Sequence, residues 1–594
     1  MLRRPVTVVV PLALAIGCTL GVTTWHASAG AQPASDLILS IVGTNDLHGR
    51  IFASRGRGGL ALLAGFLNNL RAARAADAGG VVLLDAGDTF QGGIESNLSE
   101  GAIVVDAYNA LGYTAAAIGN HEFDFGAVDD ASPAQASPDP RGALKAVAAR
   151  AAYPYLAANL HDEATGQRVA WPNVTPSTVV DVAGVPVGIV GVMTIEALRA
   201  TLSANVGGLR VTPLAEAVTE EATRLRARGA TVILVAAHAG GRCTAFGSPE
   251  DVSSCDASSE IFEMARRLPE GLVDAVVAGH THAGVAHQVA GVAIVEGLSL
   301  GTAFSRVDLH LNRRTKRVIR AHPFAPQEVC AYQAADSGDC AADDSATALV
   351  PAQYEGRTVL SDQRIATAMA PALARVRARQ AVPLGIVLDT PIGREGDLES
   401  PLGNLFARAV RESMRADVAI TSNRFAGLRA DLPAGPLTFG RLYDAFPFDD
   451  RLVRLTVTGQ QLRSVVAADV RRERRGALSI SGVRIHARCE SVGLAIHLVS
   501  LEGEPIADDD RLTLATTDLL ARGPLFAALS GQQRFDVPAT SPIVREVVAH
   551  WLGARDGHLR ATAFNDPMAP HWHPFDTDVS RCEATNPSGG QRTR

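Results

Sequence analysis

Short apolar runs alternate with longer amphipathic stretches through the first half of the chain. Leu37–Val42 and Val81–Asp85 are apolar almost throughout and end at glycine or polar residues, which predicts strands buried on both faces of a sheet. Leu60–Ala75 and Leu214–Arg228 carry apolar residues at helical spacing, which predicts helices between the strands. Strands that alternate with helices favour a layered α/β domain. The same patterns predict further helices at 103–111, 142–152 and 261–268, and further strands at 115–118, 155–158, 178–182, 185–192, 231–237, 275–278, 285–295 and 305–312.

The alternating pattern fails in the middle of the chain. Acidic and small residues dominate from Pro323 to Gln363, which is typical of a linker. Periodicity returns with a predicted helix at 364–379, and a chain of 594 residues has room for two domains. The expected parts are a signal peptide, an N-terminal domain, a linker, a C-terminal domain and a disordered tail, at residues 1–29, 36–325, 326–360, 361–582 and 583–594.

The N-terminal segment predicts export. An arginine pair precedes an apolar run from Val6 to Val22, and an A-x-A cleavage pattern follows at Ala27–Ala29. The alternatives are an uncleaved membrane anchor or a lipoprotein modified at Cys18. The run is short and is interrupted by proline and glycine, which favours a cleaved signal peptide. We therefore expect no transmembrane span after cleavage and a periplasmic, extracellular or cell-surface location.

Composition, net charge and cysteine count indicate which class of protein and which partners to expect. The chain is 47% hydrophobic and 20% charged, as expected for a globular protein with a large core. A formal net charge of −7 gives no reason to expect a nucleic-acid polymer or an anionic membrane as partner. Outside the signal segment six of the seven cysteines remain, and an even number in an exported chain predicts disulfides rather than free thiols. Local pairing favours Cys243–Cys255 and Cys330–Cys340, which leaves Cys489–Cys582 among the possible connectivities.

Five predicted strand ends carry polar motifs, TNDLHG, DAGDTFQGG, GNHEFD, AAHAG and AGHTHAG. Because polar side chains after parallel strands meet at the carboxyl edge of a sheet, we expect these motifs to converge. They supply two carboxylates, one amide and four imidazoles, namely Asp46, His48, Asp88, Asn120, His238, His280 and His282. Such a set satisfies two divalent metals if one carboxylate bridges them. One such residue alone is ordinarily a turn or core residue, but five motifs in order favour a metal centre.

The single histidine of the third motif suggests an acid–base role. His121 can act as an acid, a base or a ligand, and Asp124 is close enough in sequence to orient its ring.

The five motifs resemble those of the calcineurin-like metallophosphoesterases, most closely the exported 5′-nucleotidase branch. The resemblance implies an α/β fold in which a four-layer α/β/β/α sandwich precedes an α+β substrate-binding domain. It also implies His121 and Asp124 as the catalytic dyad. One implied metal has the ligands Asp46, His48, Asp88 and His282. The other implied metal has the ligands Asp88, Asn120, His238 and His280, with Asp88 bridging.

The resemblance extends to the second half through SPLGNL (400–405), NRFAGLR (423–429) and AFPFDD (445–450). In that domain arginines contact the phosphate or a similar edge, and aromatic rings stack on a base. The substrate-binding residues implied here are Arg429, Phe448, Arg394, Phe425, Asn423 and Gly427. The chain departs from the family pattern at two positions: Leu519 stands where a second ring is expected, and Leu525 where an aspartate would bind a ribose.

We therefore predict an exported phosphohydrolase that releases phosphate from 5′-nucleotides by in-line attack of water activated by two metal ions. Oxygen and nitrogen ligands accept zinc, manganese or a similar ion. The expected partner is a small-molecule nucleotide or another phosphate ester. Two alternatives stay open: hydrolysis of a 2′,3′-cyclic nucleotide, a nucleotide sugar or a non-nucleotide phosphate, and a catalytically inactive secreted binding protein.

Overall fold

The computed structural model describes residues 36–128, 139–340, 348–395, 399–423, 427–473, 478–490, 493–526, 541–555, 557–566 and 570–573. The predicted signal peptide and C-terminal tail lie outside these ranges. Within them, no helix combines the length and the apolar character needed to cross a bilayer.

The N-terminal half alternates strands and helices as its apolar pattern predicts. Its strands are β1 (Asp36–Thr44), β2 (Gly80–Asp85), β3 (Ala115–Ala117), β4 (Tyr155–Leu156), β5 (Leu160–Asp162), β6 (Val174–Thr175), β7 (Ser177–Val182), β8 (Val185–Met193), β9 (Leu209–Val211), β10 (Val232–His238), β11 (Ala275–Ala278), β12 (Gly284–Val289), β13 (Val292–Gly297), β14 (Ala303–Asn312) and β15 (Val318–Glu328). Its helices are α1 (Leu60–Ala76), α2 (Ile94–Asn97), α3 (Ala102–Leu111), α4 (Gly142–Arg150), α5 (Ser203–Val206), α6 (Leu214–Ala227) and α7 (Glu260–Arg267).

Two sheets stack face to face in this half. Their strand orders are β15-β14-β1-β2-β3-β4-β6 and β12-β13-β11-β10-β8-β7. Apolar residues of both sheets, including Leu39, Val82, Ile189 and Leu234, form the buried layer between them. Helices α1, α3 and α4 cover the outer face of the first sheet, and α6 and α7 cover the second. This confirms the predicted four-layer α/β/β/α sandwich.

One predicted strand was wrong. Residues 285–295 form the hairpin β12–β13 rather than a single strand, and Val289 pairs with Val292 across the turn. Both turn residues have positive φ, 50° at Ala290 and 81° at Gly291, as a two-residue hairpin turn requires. Such turn positions usually carry glycine, asparagine or aspartate, but Ala290 is apolar. The apolar pattern therefore continues through the turn, and the turn is not visible in it.

The stretch predicted as a linker contains short strands. Its described strands are β16 (Tyr332–Ala334), β17 (Leu349–Pro351), β18 (Gln353–Tyr354) and β19 (Arg357–Thr358). The predicted Cys330–Cys340 disulfide is present at its start. Helix α8 (Gln363–Gln380) follows, and its residues Ile365, Met369 and Ala372 are buried in the core beneath α1 and α3.

The C-terminal half has mixed α+β structure. Its strands are β20 (Pro383–Leu388), β21 (Val418–Ser422), β22 (Gly435–Thr438), β23 (Leu452–Thr458), β24 (Leu478–Ser481), β25 (Val483–Glu490), β26 (Gly493–Ser500), β27 (Arg511–Thr517) and β28 (Gly557–Leu559). Its helices are α9 (Pro401–Met414), α10 (Phe439–Ala445), α11 (Gly459–Glu473), α12 (Asp518–Arg522) and α13 (Val544–Gly553). The larger sheet has the order β23-β27-β21-β24. Ile94 of α2 packs with Phe439 and Tyr443 of α10, which joins the two halves.

Candidate metal centre and adjoining cleft

The predicted ligands lie where five parallel strands of the two stacked sheets end. β1, β2 and β3 are parallel neighbours in the first sheet, and β10 and β11 are parallel neighbours in the second. The predicted ligands stand at the end of β10 or within four residues after the end of the other strands. The convergence expected from the sequence is therefore observed: side chains from both sheets meet at one edge of the sandwich.

The backbone of these loops is unusual. Five of the predicted ligands have left-handed φ values, namely Asp46 (48°), His48 (49°), Asp88 (57°), His280 (78°) and His282 (54°). A non-glycine residue held in a sparsely populated region costs of order 1–3 kcal/mol and persists only where its surroundings impose it. Such residues cluster at functional sites, and here they direct three buried side chains, Asp46, His48 and Asp88, and the more exposed His280 and His282 toward a common centre.

Asp46, His48 and His282 form one group of potential ligands. The Nε2 atoms of His48 and His282 are 3.0 Å apart, and Asp46 Oδ1 lies 3.4 Å from His282 Nε2. Asp46 Oδ1 is buried and has no hydrogen-bond partner in the described part of the chain. A buried carboxylate oxygen without a partner is costly, and a cation at this position would satisfy it.

Asp88, His238 and His280 form the second group. His238 Nε2 lies 3.3 Å from Asp88 Oδ2, 3.1 Å from His280 Nδ1 and 3.0 Å from Asn120 Oδ1. Asp88 also groups with His48 and His121, so its carboxylate lies between the two sets of ligands. This is the position that a bridging carboxylate requires.

The histidine contacts fit metal ligation. His48 Nδ1 lies 2.9 Å from the carbonyl oxygen of Gln91, and His238 Nδ1 lies 2.9 Å from that of Ala86. A carbonyl only accepts, so each Nδ1 donates, and in the neutral ring each Nε2 has a lone pair directed at the centre. Metal-binding histidines commonly have this arrangement, with the second nitrogen held by a backbone carbonyl. The residues present therefore fit two divalent cations.

The ionisable side chains of the centre shift one another's pKa values. Burial opposes ionisation of Asp88, but His238 and His121 outweigh it and hold the pKa of this carboxyl well below its usual range. Burial disfavours protonation of His238, yet Asp88 raises its pKa to about 9. Burial, together with His238, lowers the pKa of His280 to about 4. The carboxylates therefore stabilise positive charge in this pocket. Either protons or metal cations can provide that charge.

The predicted dyad is formed beside the metal groups. His121 Nδ1 is 2.5 Å from Asp124 Oδ2, and Thr201 Oγ1 donates to the other carboxylate oxygen at 2.7 Å. Burial disfavours the charged ring, but Asp124 and Asp88 raise the pKa of His121 to about 10. The imidazole is 28% exposed, so its free edge reaches solvent. This ring is therefore oriented, positively charged at neutral pH and accessible.

Sequence reasoning missed Glu122, which is buried between two of the loops. Its Oε2 accepts hydrogen bonds from the backbone N–H groups of Asp88 and Gly119, at 2.9 and 2.7 Å. Its Oε1 accepts from the backbone N–H and the hydroxyl of Thr89, both at 2.7 Å. One carboxylate thus connects the Asp88 loop to the loop that carries Asn120 and His121. The signal available in the sequence was the position of Glu122 within the GNHEFD motif, directly after His121.

The substrate residues implied by resemblance are partly brought together. The guanidinium carbon of Arg429 lies 4.9 Å from the centre of the Phe448 ring. Burial and the nearby charge of Arg394 lower the pKa of Arg429, so the two cations lie close to each other. Asn423 accepts a hydrogen bond from Ser479 at 2.5 Å and Gly427 is buried, whereas Phe425 lies outside the described residues. Leu519 is 43% exposed.

The segment that carries Phe448 runs along the metal half. The carbonyl of Pro447 accepts a hydrogen bond from Asn97 at 3.2 Å, and Asn97 in turn accepts one from the backbone N–H of Gly92 at 2.8 Å. A residue that the sequence did not single out, Arg545 of α13, donates to the carbonyl of Phe448 at 2.9 Å. A cavity of about 370 Å³ lies between the halves, and Asp124 is among its lining residues.

Comparison with known proteins gives a separate family match for each half of the chain. The family model for the calcineurin-like phosphoesterase matches residues 39–284, and that for the 5′-nucleotidase C-terminal domain matches 383–528. An endonuclease of Bacillus subtilis, YhcR, is 26% identical over 82% of this chain, which spans 37% of that protein's length. Protein UshA of Yersinia enterocolitica is 23% identical over 82% of this chain and 85% of its own.

A solved structure shares the architecture. The crystal structure of a 5′-nucleotidase precursor from Thermus thermophilus has a TM-score of 0.57 and 21% identity, over 88% of this chain and 97% of its own. This likeness shows a common fold. The two family models together show that the chain has a calcineurin-like phosphoesterase half, from a family of metal-dependent phosphoester hydrolases, and a 5′-nucleotidase C-terminal domain.

Proposed function

We propose that this protein is an exported dinuclear-metal phosphohydrolase that releases phosphate from 5′-nucleotides. The observation that carries the proposal is the convergence of two groups of metal-compatible side chains beside an oriented His121–Asp124 pair. Export is inferred from the N-terminal segment. We also propose domain limits of 36–325 and 361–582, with the intervening residues as a linker.

The ligand assignment follows the two geometric groups. Asp46, His48 and His282 would hold one ion, and Asn120, His238 and His280 the other, with Asp88 between them. Two divalent ions held there would lower the pKa of a water and neutralise charge on the phosphoryl oxygens. The protein supplies their positions, because the backbone carbonyls of Gln91 and Ala86 hold two imidazoles with their lone pairs inward.

His121 is proposed as the general acid. Its Nδ1 is occupied by Asp124, so Nε2 is the atom that faces the substrate and carries the transferable proton. The raised pKa of His121 keeps that proton in place at neutral pH until the leaving alkoxide takes it. Thr201 fixes the second oxygen of Asp124 and thereby the plane of the ring.

The leaving group is proposed to lie against the C-terminal half. Arg394 and Arg429 would contact oxygens of the phosphate through planar, bidentate guanidinium groups, and the Phe448 ring would stack on the base of the leaving nucleoside. Asn423, Gly427 and Phe425 are proposed as further contacts by resemblance. Zinc, manganese or a similar ion is the proposed cofactor.

The function is tested by phosphate release from a panel of esters. The mature protein is stripped of metal, and zinc or manganese is returned before assay with AMP, other 5′-nucleotides, a 2′,3′-cyclic nucleotide, a nucleotide sugar and an aryl phosphate. We expect no activity without metal and a preference for 5′-nucleotides with it. Retained metal with no hydrolysis of any ester would instead indicate a binding protein.

One observation favours a second candidate substrate class. Leu519 presents an exposed aliphatic side chain where the family pattern places a second stacking ring. An aliphatic surface stacks on a base less well than an aromatic face, which favours a phosphate ester without a nucleobase. Equal turnover of AMP and aryl phosphate in the panel would support this second candidate.

Substituting Gly119 by alanine should disturb the metal ligands directly. A Cβ at Gly119 would lie 2.3 Å from Asp88 Oδ1 and 2.8 Å from His238 Cε1, closer than atoms can approach. We expect metal affinity and kcat to fall about 10–100-fold, as for other changes that displace ligands. Metal content by mass spectrometry and phosphate release test this. Gly247→Ala is the control, because no atom lies within 4 Å of its added Cβ.

Replacing Arg429 by alanine should weaken substrate binding without lowering kcat. Loss of one charge-assisted contact costs about 1.5–3 kcal/mol, so KM for AMP should rise about 10–100-fold. The kcat for aryl phosphate should not change, because the metal centre is untouched. Arg408→Ala is the control, since this exposed arginine pairs with Glu412 on α9. An unchanged KM for AMP would remove Arg429 from the proposed site.

A further inference from the structure

A second cluster of potential metal ligands lies outside the proposed catalytic centre. The Sγ atoms of Cys243 and Cys255 and one ring nitrogen of His287 all lie within 4.8 Å of one another. The two sulfurs are joined in the structure as a disulfide. The cysteines lie on the loop between β10 and α7, and His287 lies on β12.

The hydrogen bonding of His287 is incomplete. Its side chain is 1% exposed, and its Nε2 lies 3.0 Å from the carbonyl oxygen of Ala245. Because the carbonyl only accepts, Nε2 carries the proton and Nδ1 carries a lone pair. Nδ1 is buried and has no hydrogen-bond partner among the described residues. A buried polar atom without a hydrogen-bond partner lowers folding stability by about 1–3 kcal/mol. The described contacts of His287 show no structural gain that offsets this loss.

A histidine that donates one ring N–H to a backbone carbonyl has its other ring nitrogen free to bind a metal. In metal sites the second ring nitrogen typically donates to a backbone carbonyl, which fixes the tautomer and orients the lone pair. His48 and His238 of the catalytic centre show this contact, and His287 repeats it. Phe246 packs against the imidazole at 6.2 Å between ring centres, so the surroundings are largely apolar.

We propose that Cys243, Cys255 and His287 form a zinc site when the disulfide is reduced. A dithiol supplies two electrons and two protons to the S–S bond, giving two cysteine thiols and a cyclic disulfide of the reductant. Zinc then displaces the two thiol protons and binds both thiolates and the neutral Nδ1. Two thiolates and one imidazole are a common zinc set, and a water would complete the tetrahedron.

The proposed site is connected to the catalytic loops by backbone contacts. The N–H of Cys243 donates to the carbonyl of Gly284 at 3.2 Å, which joins the loop after His238 to the start of β12. Thr281, between His280 and His282, donates its hydroxyl to the carbonyl of Gly241 at 2.7 Å. The disulfide closes the loop that follows His238. A zinc ion that also bound His287 would hold this loop to β12, next to the loop that carries His280 and His282.

Cobalt titration tests the site separately from catalysis. The full chain is reduced with dithiothreitol, freed of reductant under anaerobic conditions and titrated with Co²⁺. A thiolate-to-cobalt charge-transfer band in the near ultraviolet is expected to saturate at the intensity of one thiolate-bound cobalt per chain. The proposed catalytic centre contains no sulfur ligand, so its cobalt does not contribute to this band, and a failure of the proposed phosphatase function would leave it unchanged.

Matched variants identify the ligands. The band should disappear in Cys243→Ser/Cys255→Ser, and His287→Ala should weaken cobalt binding about 10–100-fold. Cys330→Ser/Cys340→Ser should keep the band, because that disulfide has similar spacing but belongs to no described group of potential ligands. A band that follows Cys330 and Cys340 instead, or is absent from the reduced wild-type chain, would overturn the proposal.

A protection experiment on the wild-type chain needs no variant. Alkylation of the reduced protein is followed by mass spectrometry of peptides, with and without zinc. Zinc should slow the alkylation of Cys243 and Cys255 at least about tenfold and leave that of Cys330 and Cys340 unchanged, since bound thiolates are poor nucleophiles. Equal alkylation of both pairs with and without zinc would contradict the proposed site.

Discussion

Replacing His121 by alanine should lower kcat about 10²–10⁴-fold while both metals stay bound. The imidazole is oriented by Asp124 at 2.5 Å, and the proposed ligands of the two metals do not include it, although it lies close to His48 and Asp88. Without it the leaving alkoxide must take its proton from water. Substrates with good leaving groups need less protonation, so aryl phosphates should lose less activity than AMP.

The measurement pairs kinetics with metal content. Phosphate release gives kcat and KM, and mass spectrometry gives metal ions per chain. Asp124→Asn should show a smaller loss than His121→Ala, because the ring stays present but loses its orientation and raised pKa. His497→Ala is the control, since it removes a similar histidine–carboxylate contact at 2.9 Å on the surface. Loss of metal from His121→Ala would make His121 a ligand rather than an acid.

The N-terminal sandwich was predictable because its strands are buried on both faces. Such strands appear in the sequence as uninterrupted apolar runs, and the polar motifs stand directly after them. The convergence of the polar motifs could be predicted for the same reason, since β1, β2 and β3 are parallel neighbours in one sheet and β10 and β11 are parallel neighbours in the other. The stacking of the two sheets then brings His238 to the same edge as Asp46 and Asp88.

The contacts that support the centre could not be predicted from local patterns. Thr201 reaches Asp124 from a loop far along the chain, and Asn205 donates to the carbonyl of Phe123 at 2.7 Å. Both residues are ordinary polar residues in sequence, and only tertiary packing gives them a partner. The same holds for Arg545, whose guanidinium lies 4.0 Å from the centre of the Tyr443 ring and holds the segment after α10.

The contact between the two halves could not be predicted from the sequence either. Helix α8 follows the predicted linker, yet its apolar face packs on the core of the N-terminal sandwich, while α10 packs against α2. A helical pattern shows which face is apolar but not which domain covers it. The placement of Phe448 next to the metal half depends on that packing, through the contact of Pro447 with Asn97.

Glu122→Gln should destabilise the fold and weaken metal binding, although it changes only one atom. All four groups around this carboxylate can donate, two to each oxygen. An amide has one accepting oxygen, so its NH₂ must face either Thr89 or the N–H groups of Asp88 and Gly119. The Thr89 hydroxyl can rotate to accept, but its N–H cannot, so at least one buried N–H loses its acceptor.

We expect a loss of about 2–5 kcal/mol in unfolding free energy, from one unsatisfied buried donor and the lost charge-assisted bonds. Because Glu122 joins the Asp88 loop to the Asn120 loop, metal affinity should also fall about 10–100-fold. Urea denaturation of metal-free protein isolates the first effect, and metal titration of the folded variant gives the second. Glu196→Gln on the surface should change stability by less than about 0.5 kcal/mol. Equal stability of the two variants would show that the carboxylate does not hold the two catalytic loops together.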